Sequence, residues 1–192
     1  MKSISITFFF FSMCFLLNAQ YNNEPSEAFP YGKPHAEAPQ QIKDFAPMIG
    51  KSKCESFSRK QDGSWNEAVD MLWTFKYIMD GKAVQDETLK ADGAHSGSIR
   101  QFNADSSKWY VHYYASNGVP KVLPAWEGER TENKIVLYRE QKAPNGTDGF
   151  YRLTFYDFEN TGYKWIGEWV DKTEKIVYPT WKINCTKQEE ND

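Results

Sequence analysis

Apolar and polar side chains alternate in the stretch from Leu72 to Glu87. Aromatic or apolar residues occupy every second position at its start: Trp73, Phe75, Tyr77 and Met79. This is the period of a β-strand with one buried face. Asp80 and Gly81 then supply residues that readily adopt the positive φ angles of a tight turn, and a second run begins at Ala83. The pattern predicts a β-hairpin.

The same combination of apolar runs and turn residues continues to the C-terminal end of the chain. We predict ten strands, at residues 51–59, 65–79, 83–91, 97–103, 109–115, 123–131, 134–142, 150–159, 163–171 and 180–187. The segments between them are rich in Gly, Asn and Asp, as turns require. No segment of helical period is long enough to cover a sheet. An all-β antiparallel sheet of this size buries one face by closing into a barrel or by splitting into a sandwich.

The segment before the first predicted strand has a different character. Residues 1–20 contain Lys2, an apolar run of about a dozen residues and then Ala19, which is typical of a secretory signal peptide and too short for a membrane span. Residues 21–40 are proline-rich, which predicts a flexible or extended lead-in. The spacing of Ile42, Phe45 and Met48 predicts a short helix or 3₁₀ turn that caps the domain. We therefore expect a secreted or periplasmic protein with a barrel domain at 41–187 and a disordered tail at 188–192.

Removal of the predicted signal peptide changes both the charge and the cysteine count. It leaves 22 basic and 26 acidic side chains, a net charge of −4. This mildly acidic chain, with no basic stripe, argues against nucleic acid and anionic membranes as partners. Two cysteines remain, Cys54 and Cys185, in the first and last predicted strands. A disulfide between them, as an oxidising compartment favours, requires those strands to be neighbours. The cysteines thus favour a closed barrel, and a ten-strand barrel is wide enough for an internal cavity.

Several short motifs of the chain resemble a known group of proteins. The segment MDGKAVQD at 79–86, the strand Ile99-Arg100-Gln101-Phe102 and the following Trp109 are similar to motifs of uncharacterised exported bacterial proteins with a calycin-like, lipocalin-like fold. The resemblance implies an up-and-down β-barrel of about ten strands with a short N-terminal capping helix. It brings no established activity. Haem-binding barrels of the nitrobindin type are similar in outline and use a His from a late strand, but the late strands here contain no His, so no cofactor is expected.

The content of the barrel is the main question about function. The aromatic content of 16% fits an aromatic-lined lumen or a large core. We predict an exported barrel that binds a small, partly apolar ligand in its lumen. The candidate wall residues are Trp73, Tyr77, Tyr113, Tyr156, Trp165 and Trp169. The candidate orienting residues are Arg100, His112, Arg152 and Glu168, of which Arg152 and Glu168 are the preferred ion pair.

Two alternatives remain open from the sequence. An acid–base enzyme would bring together at least two of Asp86, His112 and Glu168 inside the lumen. An envelope interaction module, or a homodimer rather than a monomer, would use aromatic residues on the outer face of strands such as 109–115. Asp86 lies just beyond the predicted turn, and we expect it to make a structural hydrogen bond. The three histidines have no metal-ligand spacing, so we predict no metal site.

Overall fold

The computed structural model of the protein describes residues 21–188. The predicted signal peptide at 1–20 and residues 189–192 of the predicted tail lie outside the described residues. A 3₁₀-helix, Gln40–Met48, precedes a series of ten strands. The strands are β1 (Gly50–Ser58), β2 (Val69–Ile78), β3 (Ala83–Lys90), β4 (His95–Asn103), β5 (Lys108–Ala115), β6 (Ala125–Thr131), β7 (Lys134–Glu140), β8 (Gly149–Glu159), β9 (Gly162–Asp171) and β10 (Val177–Lys187).

The strands form one closed antiparallel barrel. Each strand pairs with its neighbours in sequence, and β1 pairs with β10 to complete the ring. The predicted all-β, up-and-down, ten-strand architecture is confirmed. Closure leaves no sheet edge among the ten strands, so every strand has backbone partners on both sides.

The junction of β1 and β10 is linked covalently. Cys54 and Cys185 face each other in the register of the two strands. Their Cα atoms are 4.1 Å apart and their sulfurs form a disulfide. The predicted disulfide is confirmed, and it ties the first strand of the barrel to the last.

The opening hairpin is formed by β2 and β3. Trp73, Phe75 and Tyr77 are buried, each with no more than 5% of its surface exposed. The predicted alternation ends there, because Met79 has a φ of 55° and belongs to the turn, where half of its side chain is exposed. In β2, the odd-numbered residues from Met71 to Tyr77 therefore point into the barrel. The residues of β3 that pair with them in the register point inwards as well.

The 3₁₀-helix closes one end of the barrel, which confirms the predicted capping helix. Ile42, Phe45 and Met48 are buried on its inner side. The Phe45 ring packs edge-on against Trp109, with ring centroids 4.8 Å apart. Trp109 also donates a hydrogen bond of 3.0 Å from Nε1 to Asp44 of the helix. We call this the closed end, and the opposite end the mouth.

The proline-rich segment before the helix lies along the β2–β3 turn. The Tyr77 amide donates to the Tyr31 carbonyl at 2.8 Å, and the His35 amide donates to the Gly81 carbonyl at 3.0 Å. The Asn23 side-chain amide donates to Asp80 at 2.9 Å. The lead-in therefore covers the turn of the hairpin near the closed end.

Candidate functional site

A cavity of about 380 Å³ lies inside the barrel. Every second side chain of each strand points into the barrel. Between the closed end and the mouth, the inward side chains of opposite walls do not meet, and the cavity occupies the space between them. Seven aromatic residues contribute the largest apolar part of its wall: Trp73, Tyr113, Trp126, Tyr151, Phe155, Trp165 and Trp181. Aliphatic side chains and seven polar or charged side chains complete the wall. The lumen is therefore only partly filled by the protein.

The floor of the cavity contains a buried ion pair. Arg100 and Asp86 are in direct contact, and each side chain is only 3% exposed. Trp73 donates from Nε1 to the second carboxylate oxygen of Asp86 at 2.6 Å. The Arg100 guanidinium carbon lies 4.9 Å from the ring centre of Phe75 and 5.0 Å from that of Phe45. The structural hydrogen bond expected for Asp86 is confirmed, and the buried carboxylate and guanidinium neutralise each other.

A second arginine stands nearer to the mouth. The Arg139 guanidinium carbon lies 4.4 Å from the ring centre of Trp126. Its Nη2 donates to the Gln141 side-chain oxygen at 2.6 Å. Among residues 21–188 no carboxylate lies within ion-pair distance of Arg139. Burial lowers the pKa of Arg139, since a partly desolvated guanidinium is harder to keep charged.

Hydrogen bonds to polar atoms hold the aromatic wall in place near the mouth. Trp126 donates to the Tyr151 carbonyl at 3.1 Å, and Trp181 donates to the Ser56 hydroxyl at 2.7 Å. The Tyr151 hydroxyl is 2.7 Å from the Thr180 hydroxyl. Burial also raises the pKa of the Tyr151 phenol, so this hydroxyl stays neutral at physiological pH. These bonds fix the rings in orientation before any ligand arrives.

The opposite side of the cavity carries small hydroxyl groups. Thr88 and Ser96 are hydrogen-bonded to each other at 2.7 Å between their side-chain oxygens, and Ser98 lies beside them. Because these side chains are short, they leave the volume that the aromatic residues do not fill. They also offer hydroxyl groups to a bound molecule.

The ten sequence-predicted site residues divide by strand face. Four of them line the cavity: Trp73, Arg100, Tyr113 and Trp165. Tyr77 is buried between the cavity and the closed end. Trp169 pairs with Tyr151 in the register of β8 and β9 and donates to the Gln141 carbonyl at 2.9 Å near the mouth.

The other four belong to the outer face of the barrel. His112 and Tyr156 alternate with inward-facing neighbours in β5 and β8. Arg152 and Glu168 form the preferred ion pair, 2.8 Å apart, and Glu174 joins them from the β9–β10 loop. This pair lies outside the lumen. The enzyme alternative needs at least two of Asp86, His112 and Glu168 in the lumen, but only Asp86 points inwards, so these residues form no acid–base pair there.

Several residues of the cavity are not among the site residues predicted from the sequence. They are Thr88, Ser96, Ser98, Trp126, Arg139, Gln141, Tyr151 and Trp181. For Arg139 the sequence holds a usable signal, because it stands at i+2 and i+4 from the buried residues Leu137 and Ile135. For Tyr151 the alternation of buried and exposed residues is a weaker signal, since the neighbouring residues of β8 carry bulky side chains on both faces.

Two kinds of feature are absent from the part of the chain that the structure describes. No group of three or more His, Cys, Asp or Glu residues there is arranged to hold a metal ion. Within the same residues, no helix has the length and apolar character needed to cross a bilayer.

Comparison with known proteins identifies a shared fold. No family model matches the chain, and no curated protein matches it. Among solved structures, the chain is similar to the crystal structure of Rv2717c from M. tuberculosis, with a TM-score of 0.54 and 8% sequence identity. The match covers 80% of this chain and 100% of that chain. At this identity the similarity extends to the ten-strand antiparallel barrel and no further.

Proposed function

We propose that the mature chain is an exported protein that binds a small, partly apolar molecule inside its barrel. The observation that carries this proposal is the cavity of about 380 Å³ between aromatic walls. Ligand sites in proteins occupy roughly 300–1,000 Å³ and combine apolar walls with a few placed polar groups. The cavity has both properties. A lumen packed completely by side chains would have left no room for a ligand.

The fixed orientation of the wall supports binding. The indole groups of Trp73, Trp126 and Trp181 donate hydrogen bonds to protein acceptors. Their rings therefore have little freedom to lose when a ligand binds, and this lowers the entropic cost of association. A ligand with a flat, apolar face fits such walls because its face stacks on immobile rings.

Export is supported by two independent features. The sequence at 1–20 has the organisation of a signal peptide. The Cys54–Cys185 disulfide belongs to a class of bond that persists outside the reducing cytosol. We also infer, from the motifs at 79–86 and 99–102, that the barrel is of the calycin-like type found in exported bacterial proteins.

The test begins with native mass spectrometry of the protein purified from its source compartment. We expect an added mass that is lost on denaturation. The variant Ser98→Phe extends a ring into the cavity and should abolish the added mass, because Ser98 lines the wall. Gln101→Phe adds the same ring to the exposed outer face of the same strand and should retain it.

Two results would overturn the proposal together. They are the absence of any added mass in the native protein and the absence of any saturable change in tryptophan fluorescence across a panel of small apolar molecules.

Light scattering after size-exclusion chromatography tests the interaction-module alternative, which requires a partner or a second copy on the outer face.

A further inference from the structure

We infer that the ligand carries an anionic group and that Arg139 receives this group near the mouth of the barrel. The inference rests on the proposed function and narrows it to one chemical class. The cavity wall includes two arginines, Arg100 and Arg139, but a single carboxylate, Asp86. Because Asp86 is already paired with Arg100, the wall retains one uncompensated positive charge.

The donors of Arg139 are only partly used. Its hydrogen bond to Gln141 uses one of the two N–H groups on Nη2. Nη1 and Nε have no acceptor among residues 21–188, and neither is a buried atom that lacks a partner. These atoms are therefore not fully buried, and Arg139 belongs to the cavity wall. A guanidinium that offers several donors in a fixed plane matches the two oxygens of a carboxylate.

Two neighbouring side chains, Trp126 and Gln141, fix the orientation of the Arg139 guanidinium. Its contact with the Trp126 ring fixes the plane of the group by stacking, and Gln141 fixes one edge. Burial disfavours its charge and lowers its pKa. A ligand anion offsets that cost, whereas a ligand cation adds to it. The site thus selects by charge as well as by shape.

The rest of the cavity defines the body of the ligand. Trp126 and Tyr151 neighbour Arg139, and Tyr113 packs against Trp126. Phe155 and Trp165 pair with each other deeper in the barrel, where Phe155 contacts Phe45 of the capping helix. An anionic group at the mouth therefore continues into an aromatic-lined space. The ligand class is a small aromatic or alicyclic acid, held by its acid group at the mouth with its apolar body pointing towards the Asp86–Arg100 pair.

A pair of matched probes tests this inference on the mature chain with its disulfide intact. The probes are 2-naphthoate and 2-naphthamide, which have similar shapes and differ in charge. Isothermal titration calorimetry on protein freed of any bound molecule gives the affinity of each. We expect 2-naphthoate to bind at least about tenfold more tightly, as a charge-assisted hydrogen bond provides. Arg139→Met should abolish this preference and leave the affinity for 2-naphthamide within about threefold.

Three further variants control the result. Arg139→Lys keeps the charge without the planar fork and should retain part of the preference. Arg139→Gln replaces Arg139→Met if the methionine variant fails to fold by circular dichroism. Lys142→Met removes one positive charge from an exposed loop position near the mouth, where the side chain is 70% exposed, and should leave the preference unchanged.

The outcomes separate this inference from the proposed function. Equal binding of the two probes by the wild-type chain overturns the anion site and leaves small-molecule binding intact. A preference that survives in both Arg139→Met and Arg139→Gln also overturns it. Failure of both probes to bind overturns the aromatic-acid class, while the proposed function falls only if native mass spectrometry and the fluorescence panel are also negative.

Discussion

The ion pair in the floor of the cavity allows a sharp test of how the barrel is stabilised. Asp86 and Arg100 are each only 3% exposed, so removal of one partner leaves the other charge buried without compensation. We consider the single variants Asp86→Leu and Arg100→Met and the variant that combines them. Asp86→Leu also removes the acceptor of the Trp73 indole.

The expected magnitudes follow from burial. Loss of one partner of a buried pair lowers the free energy of unfolding by about 3–5 kcal/mol. In Asp86→Leu the orphaned Trp73 N–H adds about 1–3 kcal/mol to the loss. The double variant leaves no buried charge, and replacement of a whole pair by apolar residues is often close to neutral. We therefore expect the double variant to be more stable than either single variant, with a coupling energy of at least about 4 kcal/mol, because it must exceed the loss in Asp86→Leu.

Equilibrium unfolding in urea, followed by far-ultraviolet circular dichroism, provides the measurement. This signal avoids the emission of Trp73, which the substitutions alter directly. Asp86→Asn is the milder control, because the amide oxygen still accepts from Trp73 while the negative charge is lost. Single variants that each cost less than about 1 kcal/mol, with additive effects in the double variant, would refute the assignment of an uncompensated buried charge.

Three further predictions concern the same framework. Replacement of both Cys54 and Cys185 by Ala should lower the unfolding free energy by about 5 kcal/mol, the chain-entropy estimate for their separation of 131 residues; an unchanged urea midpoint would contradict this. Burial raises the pKa of Asp44, so the folded state binds this proton more tightly than the unfolded state and gains stability as pH falls through that raised pKa. Asp44→Asn should lack this gain in urea unfolding between pH 7 and 4, and identical pH profiles would exclude it. Burial raises the pKa of Tyr77 to about 12, so the stabilisation that its neutral phenol provides is present below about pH 10 and is lost towards pH 12. Tyr77→Phe should therefore lose less unfolding free energy between about pH 10 and 12 than the wild type, and equal losses would contradict this.

The fold was predictable because its signals are local. Each hairpin combines a run of period two with a turn rich in Gly, Asn or Asp, and the Cys54–Cys185 pair supplied the one long-range constraint. The largest error in a strand boundary lies at the start of β2, which was predicted at residue 65 and begins at Val69. Trp65 makes only an isolated bridge with Arg59, so the chain enters the sheet four residues later than its aromatic content suggested.

The contents of the cavity were harder to predict, because bulky side chains occur on both faces of β5 and β8. Tyr113 points into the cavity, whereas Tyr114 lies on the outer face and accepts a hydrogen bond from Gln85. The reason for the outer tyrosine is local. A Cβ atom at Gly97 would lie within 2.5 Å of the Tyr114 hydroxyl, so the ring covers a gap that glycine leaves in the neighbouring strand. An outer aromatic residue of this kind requires neither a ligand nor a partner chain.

The order of the strands has a consequence for how the chain acquires its cavity during synthesis. Nine of the ten strand pairings join consecutive strands, so each can form as soon as one hairpin has left the ribosome. The tenth pairing joins β1 to β10, and the entropy of closing the large loop is concentrated in that step. Trp181 and Ile183, which complete the cavity wall, belong to β10. The cavity therefore forms only when the last strand pairs, and a growing chain passes through every earlier stage as an open sheet.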